Sequence, residues 1–194
     1  MEGTSKKPPL VDLVERLANL IGADEKSKGE LAAFREVHLR SLSYLARANR
    51  YSNTPTALGE FLGTTKGTVS QSVKVLEARE MVVKYADPQD RRVTRLQLSK
   101  KGRRFVQQFL AKEKPEGLLA SALSPKEQDA LGQLLLKALI AIQRSSGGLS
   151  FGVCASCKFF RERALGNKHQ CGLTEEPLTP TESSFICREH QFAG

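Results

Sequence analysis

Cysteine is absent from the first 153 residues, and no apolar run approaches the roughly 18 to 20 residues that a membrane-spanning helix requires. The longest candidate, LLLKALIAI, is short and broken by Lys137, so no membrane partner is expected. The opening MEGTSKKPPL has a basic flank but no long apolar stretch behind it and no small-residue cleavage site, which argues against a secretory signal. A reducing cytoplasm is the expected compartment. Also lacking are a nucleotide-binding loop, a nucleophile elbow and a pair of catalytic carboxylates. The chain is therefore not expected to be an enzyme, and redox chemistry at a CxxC pair is the residual enzymatic alternative. Internal repeats and low-complexity tracts are missing too.

Acidic residues are the next scarcity: 21 Asp and Glu face 30 Lys and Arg, a formal charge of +9. The last 44 residues balance at five of each, so the whole excess lies in residues 1–150. Such an excess favours an anionic partner through counterion release, and charge alone does not choose between a phosphate backbone and anionic lipid. At 194 residues, 40% of them apolar, the chain has length enough for one ordinary domain and a small appendage.

What is present organises itself around residues 54–105. Ahead of them, apolar spacing predicts an amphipathic helix over 8–22, opened by Pro9 and closed by Gly22, and a second helix over 29–50 ended by the polar turn Tyr51 to Asn53. Thr54 followed by Pro55 is a helix N-cap and first-turn pair, and that helix stops near Gly63. Residues 64–67, TTKG, are expected to form a tight turn. Val69, Val73 and Leu76 then give the buried stripe of a helix whose other face is polar. The β-prone segments 81–85 and 93–98, joined by ADPQDRR, predict a hairpin. Ser99 and Ser124 are expected to cap further helices over about 99–113 and 124–143.

The polar helix and the hairpin are suited to DNA. A helix entering the major groove needs small or polar residues that reach base edges, and Lys66, Thr68, Ser70, Gln71 and Lys74 fit that face. A hairpin beside it needs arginines at its tip for phosphate or the minor groove, where Arg91 and Arg92 stand.

This order of parts resembles the MarR family of bacterial transcription regulators over about residues 30–142. The resemblance rests most on KGTVSQSVKVLE at 66–77 and DPQDRRVTRLQLSKKG at 87–102. It implies a winged helix-turn-helix, mainly α with a small β-hairpin wing, flanked by helices that build a homodimer on a palindromic operator in double-stranded DNA. It also implies that Asp90 orients Arg92 and that LSKKG starts the helix after the wing. A small-molecule effector would fit the family, although no convergent polar cluster marks a pocket for one. Two positions depart from the pattern. Gln71 replaces a common arginine and suits adenine better than guanine. Glu80 replaces a glycine, so either a strained left-handed cap forms there or the helix runs on.

SSGG at 145–148 marks a boundary. The reading thus divides the chain into a DNA-binding and dimerisation domain over 1–145, a linker over 146–153 and a cysteine-rich module over 154–194. Cys154, Cys157, Cys171 and Cys187 begin with a C-x2-C pair that can place two sulfurs on one metal, and the two later thiolates would complete a four-cysteine site. Three readings stay open: a Zn2+ ion, a [4Fe-4S] cluster, or disulfides and free thiols, the last disfavoured in a reducing compartment. His169 and His190 are nearer to supporting roles than to ligands. Phe159, Phe160, Phe185 and Phe192 are expected to form the module's own core. A cluster sensitive to redox, oxygen or iron would act through the helix over 124–143 on the spacing of two DNA-reading heads, whereas zinc would be structural.

Overall fold

The computed structural model describes residues 8–26, 31, 33–110, 122–145 and 150–192. Helix α1 (Leu10–Lys26) passes through Gly22 instead of ending there. Helix α2 (Glu36–Leu45) is much shorter than the sequence predicts, and its C-terminal limit has a distant cause. The backbone of Arg47 and Asn49, which would have continued the helix, is taken up by Ile186: the Ile186 N–H donates to the Arg47 carbonyl at 2.7 Å and the Asn49 N–H to the Ile186 carbonyl at 2.9 Å. Residues 27–30 and 111–121 lie outside the described part, and with them the start expected for α2 and the end expected for the helix after the wing.

Helix α3 (Pro55–Leu62) is capped as its sequence requires. Thr54 Oγ1 accepts from the Ala57 N–H at 3.1 Å, Pro55 opens the first turn, and Gly63 closes the helix in the left-handed region at φ 63°. Helix α4 (Lys66–Ala78) begins earlier than expected, because Thr65 Oγ1 accepts from the Thr68 N–H at 3.2 Å and acts as N-cap. Lys66 and Gly67 thus belong to the helix, and the tight turn is Gly63 to Thr65. At the other end Glu80 adopts φ 59°, and the paired bonds from the Met81 N–H to the Leu76 carbonyl and from the Glu80 N–H to the Glu77 carbonyl form a Schellman cap. Of the two alternatives for a non-glycine at this position, the left-handed cap is the one the chain adopts.

Strands β1 (Val82–Ala86) and β2 (Thr94–Leu98) pair antiparallel, with Val82 opposite Leu98 and Ala86 opposite Thr94. Ser99 caps α5 (Lys100–Phe105), which runs into a π turn, Val106–Leu110. Helix α6 (Pro125–Ser145) follows, with no buried residue. The core between these elements consists of Leu39, Leu42 and Leu45 from α2, Leu58 from α3, Val69, Val73 and Leu76 from α4, and Val82, Leu96, Leu98 and Phe105 from the wing and α5. Burying each such side chain contributes about 1.5–3 kcal/mol. Ile186, from the far end of the chain, completes this same core.

The C-terminal module is built of short strands. β3 (Gly152–Val153) pairs with β7 (Ile186–Cys187), and β4 (Phe160–Leu165), β5 (Lys168–Cys171) and β6 (Pro177–Leu178) form a three-stranded antiparallel sheet. A single turn of helix, α7 (Pro180–Ser183), lies between β6 and β7. Two expectations need correction here. The linker cannot extend to 153, since Gly152 and Val153 are strand and Phe151 packs edge-on against Tyr44 and Phe61. The module's phenylalanines are not its buried core: Phe159, Phe160, Phe185 and Phe192 are half-buried, while Cys154, Leu178 and Cys187 are buried. Phe160 and Cys171 pack against that small cluster from the side. No described helix is long and apolar enough to cross a membrane.

Candidate nucleic-acid interface and cysteine cavity

On α4 the division of faces is complete. Val69, Ser72, Val73 and Leu76 are buried, and Lys66, Thr68, Ser70, Gln71 and Lys74 are all exposed. Gly67 lies among them with nothing but solvent where a Cβ would point outward, apart from the Thr65 hydroxyl at 3.8 Å. A bare backbone at the first turn of the helix permits close approach to another surface; in the sequence its place in TTKG marks it only as a turn residue.

The wing presents its arginines by different means. Arg91 is exposed and Arg92 is 91% exposed at its side chain, yet Arg92 is fixed in direction. Its Nε donates to Asp90 Oδ1 at 2.9 Å and its Nη2 to Asp90 Oδ2 at 2.8 Å, while its backbone N–H donates to Oδ1 at 3.0 Å. The guanidinium and that N–H hold the Asp90 carboxyl below the usual range, and Asp90 in turn raises Arg92. A bidentate fork of this kind points one edge of a cation at solvent without neutralising its outer face.

Arg95 of β2 is a brace. Its Nε donates to Asp87 Oδ2 at 2.6 Å, and its Nη1 donates to the Tyr51 carbonyl at 3.1 Å and to Asn53 Oδ1 at 3.2 Å. Both partners of the ion pair are largely covered, at 15% and 13% side-chain exposure. The Asp90 and Gln89 N–H groups and this guanidinium pull the Asp87 carboxyl down. With the Leu96 N–H donating to the Asn53 carbonyl at 2.7 Å, the wing is pinned to the segment ahead of α3. The signal available in sequence was an aspartate and an arginine bracketing the hairpin tip.

All four cysteines carry free thiols and line a single small cavity with Phe159, Phe160, Leu173 and Leu178. Its volume is about 20 Å³ and its walls are almost wholly apolar. Cys154 and Cys187 are hydrogen-bonded to one another, and Asn49 Nδ2 donates to Cys154 Sγ at 3.6 Å. In this pair the thiol bond from Cys154 lowers Cys187, and the same bond raises Cys154. Among the described residues no three His, Cys, Asp or Glu side chains are drawn together tightly enough to hold an ion as placed. His190 faces elsewhere: both ring nitrogens lie within hydrogen-bonding distance of hydroxyls, Nδ1 of Ser150 Oγ at 2.8 Å and Nε2 of Ser156 Oγ at 3.0 Å. His169 Nδ1 accepts from the Arg163 N–H at 3.2 Å and its ring lies on Phe160.

Comparison with known proteins bears on the first of these two sites. Residues 34–93 match the family model described as MarR family. Among solved structures, the chain is similar to MepR of Staphylococcus aureus in a DNA complex, at 24% identity over 70% of this chain and 99% of that one, with a TM-score of 0.60. MepR in its DNA-binding conformation gives 24% identity, 70% and 100% coverage and a TM-score of 0.62. The transcriptional regulator SlyA gives 14% identity, 71% and 96% coverage and a TM-score of 0.61. A search of curated proteins found no match. These likenesses establish the fold: α2 to α5 with the wing are a winged helix of the kind seen in those regulators.

Proposed function

We propose that this protein is a DNA-binding transcriptional regulator of the MarR type, acting as a homodimer on a palindromic operator. The observation that carries the reading is the pairing of a wholly solvent-facing polar side of α4 with a wing arginine that is exposed and yet held in one direction by Asp90. In this reading α4 enters the major groove. Gln71 offers the paired donor and acceptor that match adenine N6 and N7, Thr68 and Ser70 contact base edges or phosphate, and Lys66 and Lys74 contact phosphate. Arg91 and Arg92 reach the flanking backbone or minor groove. Two copies related by a two-fold axis would place their α4 helices about one DNA turn apart. The exposed apolar residues of α1 and α6 are the surfaces assigned to that pairing.

The family model and the DNA-complex relative support this reading. Its test is binding of duplexes from the region upstream of the protein's own gene, measured across salt concentration. A log–log slope reflecting several phosphate contacts is expected, together with a loss of affinity on removing both tip arginines. Indifference to every duplex in dilute buffer would overturn it.

Within this reading the C-terminal module supplies the regulatory input through its cysteines. A [4Fe-4S] cluster there would answer redox state, oxygen or iron supply, whereas a zinc ion would hold shape alone.

A further inference from the structure

The cysteine module sits on the DNA-reading head of its own chain, and it does so through the residues on either side of one cysteine. Ile186 precedes Cys187; its backbone pairs with Arg47 and Asn49 and its side chain enters the head's core. Arg188 follows it; its N–H donates to Ser52 Oγ at 2.7 Å and its guanidinium grips Glu60 of α3, with Nη2 to Oε1 at 2.9 Å. Asn49 lies in the same stretch of the head and donates to Cys154 across the boundary. Arg50 adds ion pairs to Glu176 at 3.5 Å and Glu182 at 3.6 Å. Most of the bonds that fasten the module therefore converge on residues 47–53, with Glu60, Tyr44 and Phe61 beside them. That stretch is also where Arg95 and Leu96 anchor the wing.

What holds the module itself together is less obvious. Its own buried cluster is Cys154, Leu178 and Cys187 with Phe160 and Cys171 against it, so most of that cluster is sulfur. So small an apolar core cannot offset the ordering of some forty residues, and small folds of this kind need a covalent or metal staple. The four sulfurs line one cavity, although no three of them close on an ion. They come from strand ends and turns, face one largely apolar cavity, and one of the buried pair, Cys154, accepts from Asn49 Nδ2. Such a donor favours metal-bound thiolate. Cys157 and Cys171 are half-buried at the cavity's rim, whereas Cys154 and Cys187 are buried.

We propose that Cys154, Cys157, Cys171 and Cys187 are the thiolate ligands of one thiophilic metal centre, and that its occupancy fastens Ile186–Arg188 onto residues 47–53 and so sets the wing. The route runs within one chain, in contrast to transmission along α6, from which Gln143 Nε2 donates to the Ser150 carbonyl at 3.0 Å. The effect on DNA rests on the regulator reading; the metal and the docking do not.

The test uses full-length protein purified without air, assayed for metal and acid-labile sulfide and by amide hydrogen exchange before and after stripping with a chelator under reducing conditions. One centre per chain is expected. Stoichiometric zinc in a colourless protein identifies one occupant, and a brown protein absorbing near roughly 400 nm, with sulfide, identifies the other. On stripping, exchange at 47–53, 94–98 and 186–188 should rise at least about tenfold while α1 is unchanged. Cys157→Ser and Cys171→Ser, at the less buried rim, should reproduce that rise. Arg188→Ala should keep the centre but make exchange at 47–53 insensitive to stripping. Absence of both zinc and cluster from the anaerobic protein would overturn the proposal, as would a centre whose loss leaves 47–53 equally protected. A chain that shows the exchange response but ignores every duplex would sink the regulator reading and leave this one standing.

Discussion

Arg92 stands almost fully in solvent, where a free guanidinium would sample many directions, and Asp90 removes most of that freedom before any partner arrives. The two residues should therefore fail differently when removed. Arg92→Ala is expected to lower operator affinity about tenfold or more, equivalent to roughly 1–3 kcal/mol, and to reduce the salt slope by about one. Asp90→Ala leaves the cation and loses its orientation, so the slope should persist while discrimination between operator and random duplex declines. Fluorescence anisotropy over a salt series separates the outcomes, and equal effects from both variants would refute the orienting role. Gly102, the last residue of LSKKG, has a different necessity: a Cβ there would stand 2.1 Å from the Met81 carbonyl oxygen. Neither backbone can yield easily, because the Ser99 N–H donates to that same carbonyl at 2.9 Å and Ser99 caps α5. Gly102→Ala is expected to cost about 1–3 kcal/mol, seen as a melting temperature lowered by several degrees with DNA-contacting residues untouched.

At the scale of elements, α2 is sensitive to pH at its start. The Arg35 N–H donates to His38 Nδ1 at 3.2 Å, so this nitrogen must be unprotonated, and burial first, then Arg79 and Arg35, hold the imidazole below its ordinary range. Since the unfolded chain takes up the proton at higher pH than the folded one, stability should decline as pH falls below about 6.5, by at most about 1.4 kcal/mol per pH unit for this group. Thermal melts from pH 7.5 to 5.5 should show that loss in the native chain and less of it in His38→Gln, whose amide oxygen can still accept. How legible each element was in sequence follows from where its determinants lie. Thr54, Pro55 and Gly63 bound α3 through neighbours, and the stripe Val69, Val73 and Leu76 with its polar reverse is local to α4; both were readable. The end of α2 was not, because Ile186 decides it from the far end of the chain, and no periodicity encodes such a contact. The same holds for the candidate sites. Arg91 and Arg92 declare themselves by lying at a turn, whereas Arg95 looks like any outward strand residue until the hairpin is folded against Tyr51 and Asn53. The cysteine spacing pointed to one cluster of thiols, but gave no sign that the module would lie on residues 47–60.

On the scale of the molecule, the unexplained feature is apolar surface. Leu10, Leu13, Val14, Leu17 and Leu20 of α1 are 43–75% exposed, and Leu135, Leu139 and Ile142 of α6 are 48–63% exposed. Each set recurs at three- and four-residue steps, so each is a stripe, and stripes of this extent on helices with no buried residue among those described call for a covering surface. In the proposed homodimer a second copy would cover both at once, since each copy supplies the same pair of stripes. If each leucine covered contributes about 1.5–3 kcal/mol, the two stripes of two chains are enough to exceed an association cost of about 4–15 kcal/mol. Placing charge on one stripe should then separate the copies. Leu135→Glu with Leu139→Glu is expected to sediment as a monomer at micromolar concentration and to bind operator DNA at least about a hundredfold more weakly, because one head makes half the phosphate and base contacts. The head itself should be untouched: the melting of α2 to α5 and the metal content should match the parent chain. A double variant that remained dimeric would exclude the α6 stripe as the interface. A monomer that held DNA as tightly as the parent would show instead that one α4 and one wing suffice, and the two-fold operator would have to be given up.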